Sequence, residues 1–128
     1  MAKDKTILIA EDEAPMLEAL ADKFKKAGFN VLTAADGQAA FDLAAKAHPD
    51  IMLLDIVMPK IDGIGLLKKI RLESRWGEEV PVVMLTNLSD PQSVSDAANY
   101  NVFDFLVKTD WRLDDVLELV NNKLKLNN

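Results

Sequence analysis

Five polar residues follow short apolar runs, where buried backbone could hold a reactive side chain in place. Glu11 and Asp12 follow "TILIA", Asp55 follows "IMLL", Thr86 follows "VVML", and Lys108 follows "FLV". Carboxylates with no histidine or cysteine beside them are typical ligands of a hard cation such as Mg²⁺. The five groups can act as one site only if the fold brings these distant chain positions together.

Apolar runs alternate with helical patterns along the whole chain. The runs suit strands that are buried on both faces. We predict strands at Thr6–Ala10, Asn30–Thr33, Ile51–Leu54, Val82–Leu85 and Phe103–Val107. Between and after them, apolar residues recur at three- and four-residue spacing, which predicts five helices. Gly28 is typical of a helix end, and the dipeptides Asp36-Gly37 and Asp62-Gly63 are typical of helix starts.

Five strand-then-helix units predict a three-layer, doubly wound α/β fold with one parallel sheet and right-handed crossovers. In the flavodoxin-like strand order 2-1-3-4-5, the first and third strands are neighbours about 4.8 Å apart. Their carboxyl ends then meet at the point where the strand order reverses. We therefore expect Glu11, Asp12 and Asp55 to converge there.

Such a cluster of acids is unfavourable without a partner. Two like charges 4 Å apart repel by about 4 kcal/mol at an effective dielectric constant of 20, so the site should take up protons or a cation. An incomplete set of oxygen ligands leaves room for waters and phosphate oxygens, which favours Mg²⁺ over a closed Ca²⁺ cage. The pattern predicts a magnesium site that meets a phosphoryl group.

The composition is that of one globular domain, which we expect to span residues 1–128. Hydrophobic residues make up 49% of the chain and charged residues 28%, and no cysteine is available for disulfides or thiolate chemistry. No apolar stretch approaches the roughly 20 residues of a membrane span, and acids interrupt the start "MAKDKTILIAEDE". The net charge of −6 counts against nucleic-acid binding. We expect a cytoplasmic protein.

Four motifs lie at the ends of predicted strands: "AEDE", "LLDIVMPKIDG", "MLT" and "FLVK". With these motifs in this order, essentially the whole chain resembles the receiver domain of two-component response regulators. Their matching residues are Glu11, Asp12, Asp55, Pro59, Asp62, Gly63, Thr86, Phe105 and Lys108. The resemblance implies a signalling switch that is turned on by phosphorylation.

The resemblance also implies a role for each acid of the site. Asp55 would be the phosphoacceptor, a nucleophile that forms an acyl phosphate. Asp12 would bind Mg²⁺ directly, Glu11 would bind it through water, and the backbone carbonyl of Val57 would be a further ligand.

The remaining matched residues would bind phosphate and transmit the signal. Thr86 would give its hydroxyl to a phosphoryl oxygen, backbone N–H groups near Asn87 would assist, and Lys108 would pair with the phosphate. As Thr86 moves, Phe105 would turn inward and change the surface formed by the fourth helix, fifth strand and fifth helix.

The implied partners are proteins. A sensor histidine kinase, a histidine phosphotransfer protein or a small phosphodonor would supply the phosphoryl group, and a downstream protein would read the changed surface. The domain would not be a turnover enzyme, but an autocatalytic phosphoacceptor with at most slow self-dephosphorylation. We expect a monomer or a weak, phosphorylation-dependent dimer.

Two positions depart from the family pattern, and two others are apolar where many relatives vary. Thr109 replaces the proline that usually follows the lysine in a cis bond, so the Lys108–Thr109 bond is either trans or strained. Asn101 replaces a glycine and must accept a left-handed conformation. Val57 and Leu88 are apolar, and we expect them to hinder the hydrolytic water and lengthen the life of the phosphorylated state.

Other functions remain open from the residues alone. A dehalogenase-like phosphatase would need a second acid at the position of Val57, and a flavodoxin-like cofactor binder would need a phosphate loop where the chain has "EDEAP". A degenerate receiver that acts as a phosphorylation-independent interaction module is the stronger competitor. The chain could be a stand-alone regulator or a receiver from a longer protein.

Overall fold

The computed structural model describes residues 4–73, 75–86, 91–102, 104–107 and 112–125. Strands and helices alternate through these residues. The strands are β1 (Thr6–Ala10), β2 (Asn30–Ala34), β3 (Ile51–Asp55), β4 (Val82–Thr86) and β5 (Phe105–Val107). The helices are α1 (Ala14–Lys26), α2 (Gly37–Ala47), α3 (Gly63–Glu73), α4 (Pro91–Ala98) and α5 (Leu113–Lys123). Among the described residues, no helix has the length and apolarity needed to cross a membrane.

The five strands form one parallel sheet in the order β2-β1-β3-β4-β5, as predicted. The strand order reverses between β1 and β3, which are neighbours although α1, β2 and α2 separate them in sequence. Loops at this reversal diverge to opposite faces of the sheet and leave a crevice at the carboxyl ends of the two strands. The predicted site residues follow these strand ends.

Helices cover both faces of the sheet and create two cores. The core on one face includes residues of α2, α3 and α4, and that on the other includes residues of α1 and α5. Alternate residues of β3 divide between them: Met52 and Leu54 belong to the first core, and Ile51 and Leu53 to the second. Because all four are fully buried, β3 reads in the sequence as a continuous apolar run and not as an alternating one.

The predicted strand limits need small corrections. Strands β2, β3 and β4 each extend one residue beyond the predicted end, so Asp55 and Thr86 are the last residues of their strands. Strand β5 begins at Phe105, later than predicted, and Phe103 lies outside the described residues. A short 3-10 helix at Trp76–Glu78 was not predicted. Strand ends are set by pairing with neighbours, which apolar patterns do not report.

Two helix ends show the left-handed conformation that the sequence predicts. Gly28 follows α1 with φ of 99°, and Asn101 follows α4 with φ of 64°. Beyond α1, the amide of Gly28 donates to Lys25 O at 3.0 Å and that of Phe29 to Phe24 O at 3.0 Å. This pair of bonds is a Schellman motif, which satisfies carbonyls that the helix leaves without partners.

Candidate functional site

The strand register places Glu11 beside Asp55. Ala10 pairs with Leu54 across the β1–β3 ladder, so the next residues of the two strands are neighbours. Glu11 is held further by its amide, which donates to Ala34 O on β2 at 3.0 Å. The backbone of two strands therefore fixes the spacing of these acids.

Glu11, Asp12 and Asp55 form one carboxylate cluster. One carboxylate oxygen from each lies within 4.8 Å of the other two. Glu11 is fully buried and Asp55 is 3% exposed, whereas Asp12 is exposed and opens the cluster to solvent. Glu11 Oε2 also accepts a hydrogen bond from the amide of Glu13 at 3.0 Å. The predicted convergence of the three acids is confirmed.

The cluster fits a small divalent cation. Its donors are all carboxylate oxygens, the ligand type that Mg²⁺ prefers. Two oxygens bound to one Mg²⁺ are at most about 4.2 Å apart, because each Mg–O bond is about 2.1 Å long. At a spread of up to 4.8 Å, small side-chain rotations or one water-mediated ligand would bring the acids into range. Asp12, Glu11 and Asp55 could therefore hold the metal.

The loop after Asp55 is held against the site by main-chain hydrogen bonds. The amide of Val57 points toward Asp55 Oδ1 at 3.4 Å, a long contact. The amide of Ile56 donates to Leu85 O on β4 at 3.0 Å, and Ile56 O accepts from the amide of Gly63 at 2.7 Å. The side chain of Val57 is 70% exposed. This residue therefore lies directly beside the acid, at the solvent-facing rim of the site.

Two glycines let other main-chain segments pack closely against the same loop, a role that was not predicted from the sequence. A Cβ on Gly63 would lie 2.3 Å from Asp55 O, and one on Gly37 would lie 2.0 Å from Ile61 O. Both contacts are too short for any residue other than glycine. The two Asp-Gly dipeptides were interpreted only as helix starts, which is confirmed. The sequence did contain a signal. A helix start does not require glycine, so a glycine at that position indicates that another main-chain segment packs closely against it.

Lys60, at the tip of this loop, has φ of 69°, which is unusual for a residue with a side chain. Around it, Pro59 O accepts from the amide of Ile61 at 2.8 Å and from that of Gly37 at 3.4 Å. Lys60 Nζ lies 3.8 Å from Asp36 Oδ2, and Asp36 also caps α2 through the amide of Ala39 at 2.8 Å. The start of α2 thus holds the loop that follows Asp55.

Thr86 and Phe105 lie on the two neighbouring strands β4 and β5. Thr86 pairs with Val107 and is 8% exposed, and Phe105 pairs with Met84. Phe105 is partly buried and packs against the core under α2, α3 and α4. Since Met84, Thr86, Phe105 and Val107 follow the two-residue period of paired strands, Thr86 and Phe105 share that face of the sheet.

Asn87 and Lys108, together with Leu88 and the Lys108–Thr109 bond, lie outside the described residues. Their predicted contributions to phosphate binding and lifetime therefore stay predictions.

Two resolved pKa shifts belong to groups outside the carboxylate cluster. Burial lowers the pKa of the Arg71 guanidinium. A hydrogen bond from Lys23 and its positive charge lower the pKa of Asp114, which joins α1 to α5.

The sequence and the fold match a known family. A family model described as "Response regulator receiver domain" matches residues 7–121. The chain belongs to this family. The receiver domain of two-component response regulators was the prediction from the four motifs, and it is confirmed.

Individual relatives agree with this receiver domain in sequence and fold. "Probable transcriptional regulator ycf27" of Porphyridium aerugineum is 34% identical over all of this chain and 54% of that protein. The Vibrio cholerae chemotaxis protein CheY4 superposes with a TM-score of 0.85 at 26% identity, over 92% of this chain and 97% of that chain. CheY in a Borrelia burgdorferi complex described as CheX-CheY-BeF3-Mg+2 superposes with a TM-score of 0.84 at 31% identity, over 95% and 90%.

This receiver domain spans about half or less of the length of the curated relatives that it matches, from 54% to 25%. Those relatives therefore carry further segments beyond the part that is similar.

Proposed function

We propose that this receiver domain accepts a phosphoryl group on Asp55 in a Mg²⁺-dependent reaction and then regulates a partner protein. The observation that carries the proposal is the carboxylate cluster, in which Glu11, Asp12 and Asp55 place oxygens within 4.8 Å of one another. A fold gains nothing in stability from three converging acids, because like charges repel. The similar Borrelia domain, in a complex described with BeF3 and Mg²⁺, supports the same chemistry.

Asp55 acts as the nucleophile in this proposal. One of its carboxylate oxygens forms a bond to phosphorus while the bond from phosphorus to the donor breaks, and the electron pair of that bond leaves with the donor. The donor is a phosphohistidine of a sensor kinase or phosphotransfer protein, or a small molecule such as acetyl phosphate. When bound, Mg²⁺ would neutralise the charge of the acids and of the phosphoryl oxygens.

The other residues of the chain bind and orient the phosphoryl group. Asp12, Asp55 and the backbone carbonyl of Val57 would bind the metal directly, and Glu11 would bind it through water. Thr86 donates its hydroxyl to a phosphoryl oxygen, backbone N–H groups near Asn87 assist, and Lys108 pairs with the negative charge. Most of the rate then comes from positioning and charge neutralisation.

The signal leaves through the surface formed by α4, β5 and α5. When Thr86 moves toward the phosphoryl group, Phe105 on the adjacent strand fills the space. Because Phe105 has no hydroxyl, its two positions differ only in packing, and the phosphoryl group alone shifts the balance between them. A downstream protein that binds one of the two states reads the change.

We also propose a cellular setting for the domain. The domain is cytoplasmic, acts through proteins and does not bind nucleic acid directly. It is a monomer or a weak dimer that forms on phosphorylation. It hydrolyses its own acyl phosphate slowly and has no other turnover.

Phosphorylation by acetyl phosphate tests the proposal directly. With MgCl₂, the intact mass of the wild type should increase by one phosphoryl group, whereas Asp55→Asn should not react. Asp42→Asn, which removes an exposed acid of α2 that accepts from Gln38, is the matched control and should react normally. With EDTA, no form should react. A wild type that gains no phosphate and does not respond to beryllofluoride would leave only a phosphorylation-independent interaction module.

The exposed side chain of Val57 predicts a long-lived acyl phosphate. It is 70% exposed and lies two residues after Asp55, where an apolar group gives the attacking water no hydrogen bond. Val57→Asn should shorten the half-life of the phosphorylated domain several-fold, as measured by the decay of the phosphorylated mass after donor removal. An unchanged half-life would show that Val57 does not control access of water.

A further inference from the structure

One side chain, Arg71, joins three separate segments of the domain. It lies in the last turn of α3 and is half-buried. Its Nε donates to Tyr100 O, just after α4, at 2.8 Å. Its Nη1 donates to Gly77 O and to Val80 O, both in the connection between α3 and β4, at 2.8 Å each. A single guanidinium therefore ties the carboxyl end of α4 to α3 and to the segment before β4.

The contact to Tyr100 is favourable for α4. The last carbonyls of a helix have no partners within the helix and carry the negative end of its dipole. A guanidinium is a planar cation with five N–H donors, so it suits several carbonyls at once. Burial lowers the pKa of Arg71, but an arginine keeps its charge at any physiological pH. Arg71 therefore acts as a C-terminal cap that α3 supplies to α4.

The carboxyl end of α4 is also held by main-chain hydrogen bonds of its own. The amide of Asn101 donates to Ala98 O at 3.1 Å, and that of Val102 donates to Ala97 O at 3.0 Å. Together with φ of 64° at Asn101, this is a second Schellman motif. Ala97 and Val102 are buried in the core. The carboxyl end of α4 is thus held both by its own main-chain hydrogen bonds and by the hydrogen bond from Arg71.

The segment around Gly77, which Arg71 also contacts, is closely packed. A Cβ added to Gly77 would lie 2.3 Å from Ile70 O, so the main chain of Gly77 packs directly on the last turns of α3. The carbonyl that Arg71 binds there has little freedom to move. By contrast, α4 begins at Pro91, five residues after Thr86, so its amino end is the end closer in sequence to the threonine that would bind the phosphoryl group.

We propose that Arg71 is a positioning residue that anchors the carboxyl end of α4, so that the change following phosphorylation pivots at Tyr100 and is confined to the amino-terminal part of α4. The pivot on phosphorylation rests on the proposed function, whereas the anchoring of α4 by Arg71 does not. Without the anchor, the movement of α4 would extend through Asn101 and Val102 toward β5. Arg71 thereby sets which part of the α4–β5–α5 surface changes.

Amide hydrogen exchange, followed by NMR, tests the anchor in the metal-free protein. Arg71→Gln removes both the positive charge and the planar set of guanidinium N–H donors, whereas Arg71→Lys keeps only the positive charge. Lys68→Gln, which removes an exposed cation from the same helix, is the matched control. We expect the amides of Asn101 and Val102 to exchange at least about tenfold faster in Arg71→Gln, somewhat faster in Arg71→Lys, and unchanged in the control.

Addition of Mg²⁺ and beryllofluoride then tests the pivot. In the wild type, chemical-shift changes within α4 should be large for residues 91–96 and small for residues 97–102, and in the Arg71 variants they should spread through residue 102. Unchanged exchange in both Arg71 variants would overturn the anchor, and large wild-type changes at residues 97–102 would overturn the pivot. Should Arg71→Gln not fold, Arg71→Lys decides both. A wild type that ignores Mg²⁺ and beryllofluoride refutes the proposed function and the pivot, while exchange still decides the anchor.

Discussion

Replacing Asp12 by asparagine should make the metal-free domain more stable, although it removes a proposed metal ligand. The carboxylate oxygens of Asp12, Glu11 and Asp55 lie within 4.8 Å of one another. At that separation one pair of charges repels by about 3.5 kcal/mol at a dielectric constant of 20 and by about 0.9 kcal/mol in bulk water. Since Asp12 is exposed, the water value is the better guide. Two such pairs predict that Asp12→Asn raises the free energy of unfolding by about 1 to 2 kcal/mol.

Magnesium should largely cancel this difference in stability. At a concentration ten times its dissociation constant, Mg²⁺ stabilises the wild type by about 1.4 kcal/mol through mass action, and Asp12→Asn should gain much less. Urea unfolding in EDTA and in MgCl₂ measures both effects, and added NaCl should reduce the difference seen in EDTA. Glu118→Gln, at an exposed acid of α5, controls for net charge and should show neither effect. An Asp12→Asn variant that is less stable than the wild type in EDTA, or that gains as much from Mg²⁺, would refute this reasoning.

Three further substitutions test other parts of the structure. Gly63→Ala would place a Cβ 2.3 Å from Asp55 O, so urea unfolding should show a loss of about 1 to 3 kcal/mol and phosphorylation should slow; unaltered stability would contradict the close packing. Asn101→Gly should be about neutral or slightly stabilising and Asn101→Ala destabilising by about 1 kcal/mol, because φ is 64°; equal stabilities would exclude a left-handed residue there. Lys23 lowers the pKa of Asp114, so their pairing should stabilise the fold above the unfolded-state pKa of about 3.9 and lose its effect as the pH falls through the lowered value. Lys23→Met should weaken that pH dependence, although the charge of Arg112 also lowers the pKa of Asp114. An NMR titration that shows the same pKa for Asp114 in both proteins would disprove the coupling.

Elements could be predicted from the chain because their signals are local. The apolar run "IMLL" is continuous since β3 is buried on both faces, and Gly28 ends α1 because it accepts a positive φ at little cost. Strand limits were less accurate, as β5 shows, because pairing with β4 decides where β5 begins. The alternation of strands and helices predicted a parallel sheet, and the convergence of the acids followed once that sheet was given the flavodoxin-like order 2-1-3-4-5, which the structure has. The roles of Asp55 and its partners in phosphotransfer stay predictions until they are measured.

The amino-acid sequence alone was enough to indicate the alternating α/β fold, the family and the position of Asp55 at a strand end. Periodicity and turn residues report which face of an element is buried and where it stops, and both are properties of neighbouring residues. They could not indicate that Gly63 seats the backbone of Asp55, that Gly37 supports the loop after it, or that Arg71 caps a helix 29 residues away. Those contacts join residues far apart in the chain, so they exist only once the packing of whole helices on the sheet has set the distances between them.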